Sequence, residues 1–294
     1  MTATLERGEA PAAPVAPQTR FDISRYLVTI PLAIVVFFAG YPLVRVLAQA
    51  TRTSTGSWGT ETITTTLVSS SFREALRNTV TITVAATVGC LLLGTLVATL
   101  IAFAPFRGSG LASKLIDVIV AMPSFLVVLA FVFLYGRSGA AHAILGDSVD
   151  FSTFLSSPVG VVAAEVTFFT PFVIRPLLAA YSQLPPAQLN VAASLGASPL
   201  RVFAIVLFPE IVPALAASGG LTVLLTLNEF GIVAFTGAKG VRTIPTQIYT
   251  TGIVTADVPA AAVYACVQII LSLVLFGGLR LLARRLAGRR GGRV

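Results

Sequence analysis

Charge is what this sequence has least of. Only 11% of its 294 residues are charged, against about a quarter in soluble domains. Histidine and tryptophan occur once each and cysteine twice. No HExxH pattern or other metal constellation is present. Cys90 and Cys266 each lie inside an apolar run, so neither a disulfide framework nor a metal site is indicated. Glycine is plentiful, yet none of it falls into the GxxxxGK[ST] spacing of a phosphate-cradling loop; "FRGSGLASK" and "FTGAKGVRT" both miss it. Any use of ATP therefore requires another chain.

What the sequence does have is apolar length. Hydrophobic residues make up 55% of the chain and the mean hydropathy is +0.90, which marks an integral membrane protein. Runs long enough to cross a bilayer, about 20 residues each, fall at Leu27 to Leu47, Thr79 to Ala104, Ile116 to Tyr135, Val159 to Ala180, Ile211 to Phe235 and Ala260 to Leu282. The fold class predicted is all-α, with six transmembrane helices. Residues 1–25 read as a disordered cytoplasmic tail rich in Ala, Pro and Thr, without the short apolar core of a cleaved signal. Residues 26–285 form the membrane domain, and 286–294 a basic cytoplasmic tail.

Orientation follows from the basic residues. With both termini inside, twelve of the twenty Lys and Arg fall on the cytoplasmic side, seven on the other, and Arg175 within a span. That bias predicts a multi-pass protein of the plasma or inner membrane with both ends cytoplasmic. The tail "RLLARRLAGRRGGRV" reads as a topology anchor that attracts anionic lipid headgroups rather than nucleic acid. The net charge of +8 is largely this tail.

Between the fourth and fifth runs lies "LNVAASLGASPLRVFAIVLFPEIVPAL". Pro185 and Pro186 end the fourth helix, Pro186 starts a new one, and Gly196 suits a left-handed stop. Ser198 and Pro199 then signal a fresh helix start. The result is a helix of about ten residues, roughly 15 Å long, held between two turns within a cytoplasmic loop, 182–209. Its small residues Ala192, Ala193 and Gly196 permit close approach of a partner.

"NVAASLGASPLRVFAIVLFP" resembles the EAA loop of permease subunits of binding-protein-dependent (type I) ABC importers, aligned on Ala192, Gly196 and Pro209. Asn190 stands where the family has glutamate, Val191 replaces the first alanine, and Phe208 the leucine before proline. The resemblance implies a six-span permease, not itself an enzyme, whose coupling helix sits in a cleft of a cytoplasmic ATPase subunit. Asn190, Ala192, Ala193, Ser194, Leu195, Gly196, Ala197 and Ser198 would form that contact. It also implies a second permease subunit, identical or related, and an extracytoplasmic solute-binding protein. ATP and Mg would be bound by the partner ATPase, with no cofactor in this chain.

Charged residues inside spans are candidates for the pathway or its gating: Glu165, Arg175 and Glu229, with Asn228 beside the last. Asp117, one residue inside its span, reads as an interface residue. Glu165 and Arg175 lie ten residues apart on one helix, about 15 Å, so each needs partners on other helices. "GRSG", Gly136 to Gly139, matches the serine motif of intramembrane rhomboid proteases. Its neighbour His142 shares the same outer loop, whereas that chemistry takes its base from another helix. A protease is not the reading.

"AMPSFLVVLAFVFLYGRSG" and "LNEFGIVAFTGAKGVRTIPTQIYTTGIV" resemble permeases of 2-aminoethylphosphonate importers. Lys239 and Arg242 suit an anionic phosphonate. Related subfamilies carry ferric iron, spermidine or putrescine, sulfate, molybdate or thiamine, which stand as alternative solutes. A stand-alone secondary transporter would show repeated halves with broken helices at matching positions, and no convincing internal repeat is seen.

Overall fold

The computed structural model describes residues 23–53, 56–104, 108–136, 139–145, 151–238 and 240–288. The expected N-terminal tail up to Asp22, Arg107, Arg137, Ser138, Lys239 and the last six residues of the basic tail lie outside them. Among the described residues there is no β-strand, and six helices are long and apolar enough to cross a membrane.

The chain divides into two units, residues 1–45 and 46–294. The first holds most of α1, Ile23–Ala50, an apolar helix whose side chains from Thr29 to Val44 are largely exposed. The second begins with the last turn of α1. There Ala50 packs with Ala262 and Val263. Next come α2, Glu61–Val68, and α3, Ser70–Phe103.

Local chemistry fixes the helix starts. Ser69 caps α3 by accepting from the Phe72 N–H at 3.1 Å. Ser157 likewise caps α8, Pro158–Phe169, through the Gly160 N–H at 3.3 Å, with Pro158 at the first helical position where its missing N–H costs nothing. Before α8 lie α4, Ser109–Ala121, α5, Phe125–Tyr135, and two short helices, α6, Ala140–Leu145, and α7, Phe151–Leu155. The fourth span continues from α8 into α9, Pro171–Ser182.

The core forms where α3 meets α8 and α9. An added Cβ at Gly89 would lie 2.6 Å from Val166 Cγ2, and at Gly94 2.8 Å from Val173 Cβ. Glycine at both positions lets the helices approach, which is how membrane helices gain packing without a hydrophobic drive between them. Around that seam Cys90, Ala98, Val161, Phe168 and Leu177 are buried together.

After α9 the chain forms α10, Pro186–Ser194, then α11, Pro199–Val202, a π-helical turn at Phe203–Leu207, and α12, Phe208–Leu227. The fifth span therefore begins at Pro199 rather than at the expected Ile211. Pro209 does not interrupt it because it sits in the first turn of α12. The wide turn before it passes its hydrogen bond from Phe208 N–H back to the Phe203 carbonyl, so the ladder shifts register instead of breaking. Short α13, Gly231–Thr236, and α14, Ile244–Tyr249, lead to α15, Val258–Gly288. Asp257 caps α15 through the Ala260 N–H at 3.1 Å.

Candidate functional site

Two of the expected spans are interrupted. Residues Ile116 to Tyr135 do not form one helix: α4 stops at Ala121, Met122 is extended, and α5 starts at Phe125, so the third span begins at Phe125 rather than at the expected Ile116. Pro123 restricts the residue before it to extended backbone, which accounts for the stop. The fifth span likewise ends at Leu227, and α13 starts only at Gly231.

The two gaps are joined. Glu229 Oε1 accepts from Ser124 Oγ at 2.9 Å and from the Ile232 N–H at 2.8 Å, so one carboxylate oxygen ties the gaps and caps α13. Gly231 makes this possible: a Cβ there would lie 3.1 Å from Ser124 Oγ and 3.2 Å from Glu229 Oε1. Backbone freed within a span must be satisfied by protein, and Gln268 on α15 does so. Its Nε2 donates to the Leu227 carbonyl at 2.8 Å and to Asn228 Oδ1 at 3.1 Å, while Asn228 Nδ2 donates to the Leu224 carbonyl at 2.7 Å. Asn228 is exposed and Glu229 half-buried, whereas Gln268 is buried.

The other two candidates part company. Arg175 forms an ion pair with Asp117 on α4, and its guanidinium also donates to Ser113 Oγ at 3.2 Å and the Ser113 carbonyl at 2.8 Å. Asp117 is 62% exposed at its side chain. Glu165 is fully buried, and among the described residues neither carboxylate oxygen has a hydrogen-bond partner. On the facing α3, the buried hydroxyls of Thr83 and Thr87 are also without partners, although Thr79, Thr95 and Thr99 on the same helix bond carbonyls four residues back.

The segment between spans four and five folds as its punctuation predicts. Pro186 occupies the first turn of α10, and Gly196 takes φ 73°. The Ala197 N–H bonds the Ala192 carbonyl at 3.1 Å and the Gly196 N–H the Ala193 carbonyl at 2.9 Å, the paired bonds of a Schellman stop. Ser198 takes the position before α11, without a side-chain cap bond. Asn190, Ala193, Ser194, Leu195, Gly196 and Ser198 are exposed; Ala192 and Ala197 are half-buried. The prominent apolar groups are Val191, Leu195 and Leu200, the last two 82% exposed each. The exposed surface of this segment is thus larger and more apolar than the small-residue stripe alone.

Sequence reasoning missed Gln268, Ser124 and Ser113. Gln268 was findable as an amide within "VYACVQIILSLVLF", since uncharged polar groups in spans need partners as charges do. Ser124 follows the one proline of its span, at the gap that proline makes. Ser113 carries no comparable signal.

Residues 91–288 match the model of the family described as "Binding-protein-dependent transport system inner membrane component". The chain belongs to that family. This permease is 44% identical over 260 residues to a Salmonella typhimurium protein with the provisional name 2-aminoethylphosphonate transport system permease protein PhnU, covering 87% of this chain and 91% of that one. The putrescine transport system permease protein PotI of Escherichia coli K12 is 30% identical over 161 residues, 54% of each chain. The thiamine transport system permease protein ThiP of Brucella abortus is 30% identical over 194 residues, 65% of this chain and 34% of ThiP. In fold it resembles a chain of a bacterial alginate ABC transporter in complex with an alginate pentasaccharide-bound periplasmic protein, with a TM-score of 0.78 at 20% identity over 90% of this chain and 95% of that one. A chain of the inward-facing methionine transporter MetNI gives 0.57 at 17% identity, over 73% and 95%. The chain is a permease subunit of an ABC importer.

Proposed function

We propose that this permease carries 2-aminoethylphosphonate or another phosphonate inward, driven by ATP hydrolysis in a separate cytoplasmic subunit. The observation that carries the solute assignment is the 44% identity extending over 91% of PhnU. Both termini and the α10 segment face the cytoplasm, as the bias of basic residues supports. Two ATPase subunits binding ATP and Mg, a second permease subunit and an extracytoplasmic solute-binding protein complete the assembly. Residues Asn190 to Ser198 dock on the ATPase.

The mechanics follow from how α4 and α5 are tied. Motion of α10 reaches α9 directly before it and, through α11, α12 directly after it. Helix α9 holds α4 through Arg175, Asp117 and Ser113. The end of α12 holds α5 through Glu229 and Ser124. The gap at Met122 to Ser124 lies between these two ties and is the hinge at which α4 and α5 bend against each other when the ATPase changes state. Alternating access is this bend, with the partner's two states biasing it.

The test is uptake of labelled 2-aminoethylphosphonate by cells with and without the gene, with phosphate, sulfate, spermidine, putrescine, thiamine and ferric iron as competitors. Gene-dependent uptake blocked only by phosphonates is expected. Uptake blocked by putrescine or thiamine instead would favour the second reading, which the shorter PotI and ThiP similarities support.

A further inference from the structure

We infer that Glu229 is the specificity-determining contact for the solute's ammonium group, through its second carboxylate oxygen. This rests on the aminophosphonate reading above and names the half of the solute that the pathway recognises. Glu229 Oε1 is committed to Ser124 and the Ile232 N–H, which fixes the carboxylate in place. Among the described residues Oε2 takes no hydrogen bond, and it is not among the enclosed polar atoms. A carboxylate so oriented, half-buried between two helix gaps, is a prepared acceptor for a charge-assisted hydrogen bond.

The surrounding charge points the same way. Arg175 is neutralised by Asp117. Glu229 has no cation partner among the described residues. Glu165 is fully buried with both oxygens unpartnered, a setting that opposes its ionisation, so the uncompensated negative charge here is that of Glu229. The field of the Glu229 carboxylate attracts a cation and opposes a bare anion. A primary ammonium on a zwitterionic solute meets the requirement; a simple phosphonate or phosphate does not.

The test uses the complete importer in cells with labelled 2-aminoethylphosphonate and purified complex in proteoliposomes for ATP hydrolysis. Glu229→Gln keeps an oxygen for Ser124 and Ile232 and removes the charge; Glu229→Asp keeps the charge at shorter reach. The maximal uptake rate is expected to fall at least tenfold in Glu229→Gln and to recover in part in Glu229→Asp, with more ATP hydrolysed per solute carried by the Gln variant. Equal uptake by wild type and Glu229→Gln overturns the inference while leaving the importer reading intact. Should both variants fail to assemble, N-acetylated 2-aminoethylphosphonate decides with wild type alone: carriage at the rate of the free amine overturns the inference, and selective loss of carriage with the two compounds bound equally by the solute-binding protein supports it. No gene-dependent uptake of 2-aminoethylphosphonate in wild type overturns the solute reading and this inference together.

Discussion

Arg175 on α9 and Asp117 on α4 form an ion pair that joins the two helices, with Ser113 accepting two further hydrogen bonds from the guanidinium. Both side chains are more than a third exposed, so the pair is screened and its contribution modest. A double-mutant cycle with Arg175→Gln and Asp117→Asn is expected to give a coupling of about 1 kcal/mol, within the range measured for interhelical polar contacts in membranes. Thermal unfolding of the detergent-solubilised subunit measures it. Strict additivity of the two losses would mean the pair contributes nothing to stability.

Much of this arrangement is legible without coordinates, and the unreadable part has a physical reason. Pro186, Gly196, Ser198 and Pro199 mark α10 and its exits because each residue type has a narrow backbone preference that no tertiary contact overrides here. Glu229 is visible as a charge in an apolar run. Its partner is not, because Ser124 lies 105 residues away and nothing in either stretch encodes which helices adjoin. The limits of the third and fifth spans are misread for a related reason. A hydropathy pattern measures apolar length but not continuity of the hydrogen-bond ladder, so it runs through the gap at Met122 and stops short at Pro209, where the ladder continues.

Gly94 makes a prediction about packing. A Cβ there meets Val173 Cβ and Cγ1 at 2.8 Å, and both belong to the rigid seam of α3 with α9. Gly94→Ala should destabilise the subunit by about 1–3 kcal/mol, the usual range for overpacking, and Val173→Ala in the same chain should recover part of it. Gly277→Ala on α15, where a Cβ meets nothing within 4 Å, is the control and should be neutral or slightly stabilising. Chemical or thermal denaturation of the three variants reads the order. A Gly94→Ala protein as stable as wild type would remove the close-approach argument.

Glu165 separates stability from function. A fully buried carboxylate with both oxygens unpartnered is a cost to the fold. Glu165→Gln should therefore leave the melting temperature unchanged or raise it and keep the transport rate near that of wild type, because Gln stands in for the uncharged form that the buried site favours. Stability and uptake are measured on the same variant. A marked drop in melting temperature would mean that Glu165 holds the helices together through a contact the static structure lacks.

Gly196 allows the backbone and the docking surface to be tested apart. Its φ of 73° is left-handed, and a Cβ there would meet nothing within 4 Å, so the only local demand on the residue is conformational. Asn and Asp tolerate this region better than other side chains. Gly196→Asn and Gly196→Asp should thus keep the turn at similar small cost, and they differ by one charge on an exposed surface flanked by Leu195, which is 82% exposed. If that surface docks on the ATPase, Gly196→Asn should retain most transport. Gly196→Asp should insert normally yet hydrolyse ATP without matching uptake, because a carboxylate would be desolvated against an apolar contact. The number of ATP molecules hydrolysed per solute carried is the measurement. Equal coupling in the two variants would move the docking surface away from the end of α10, and a loss shared by both would place the requirement in the turn itself.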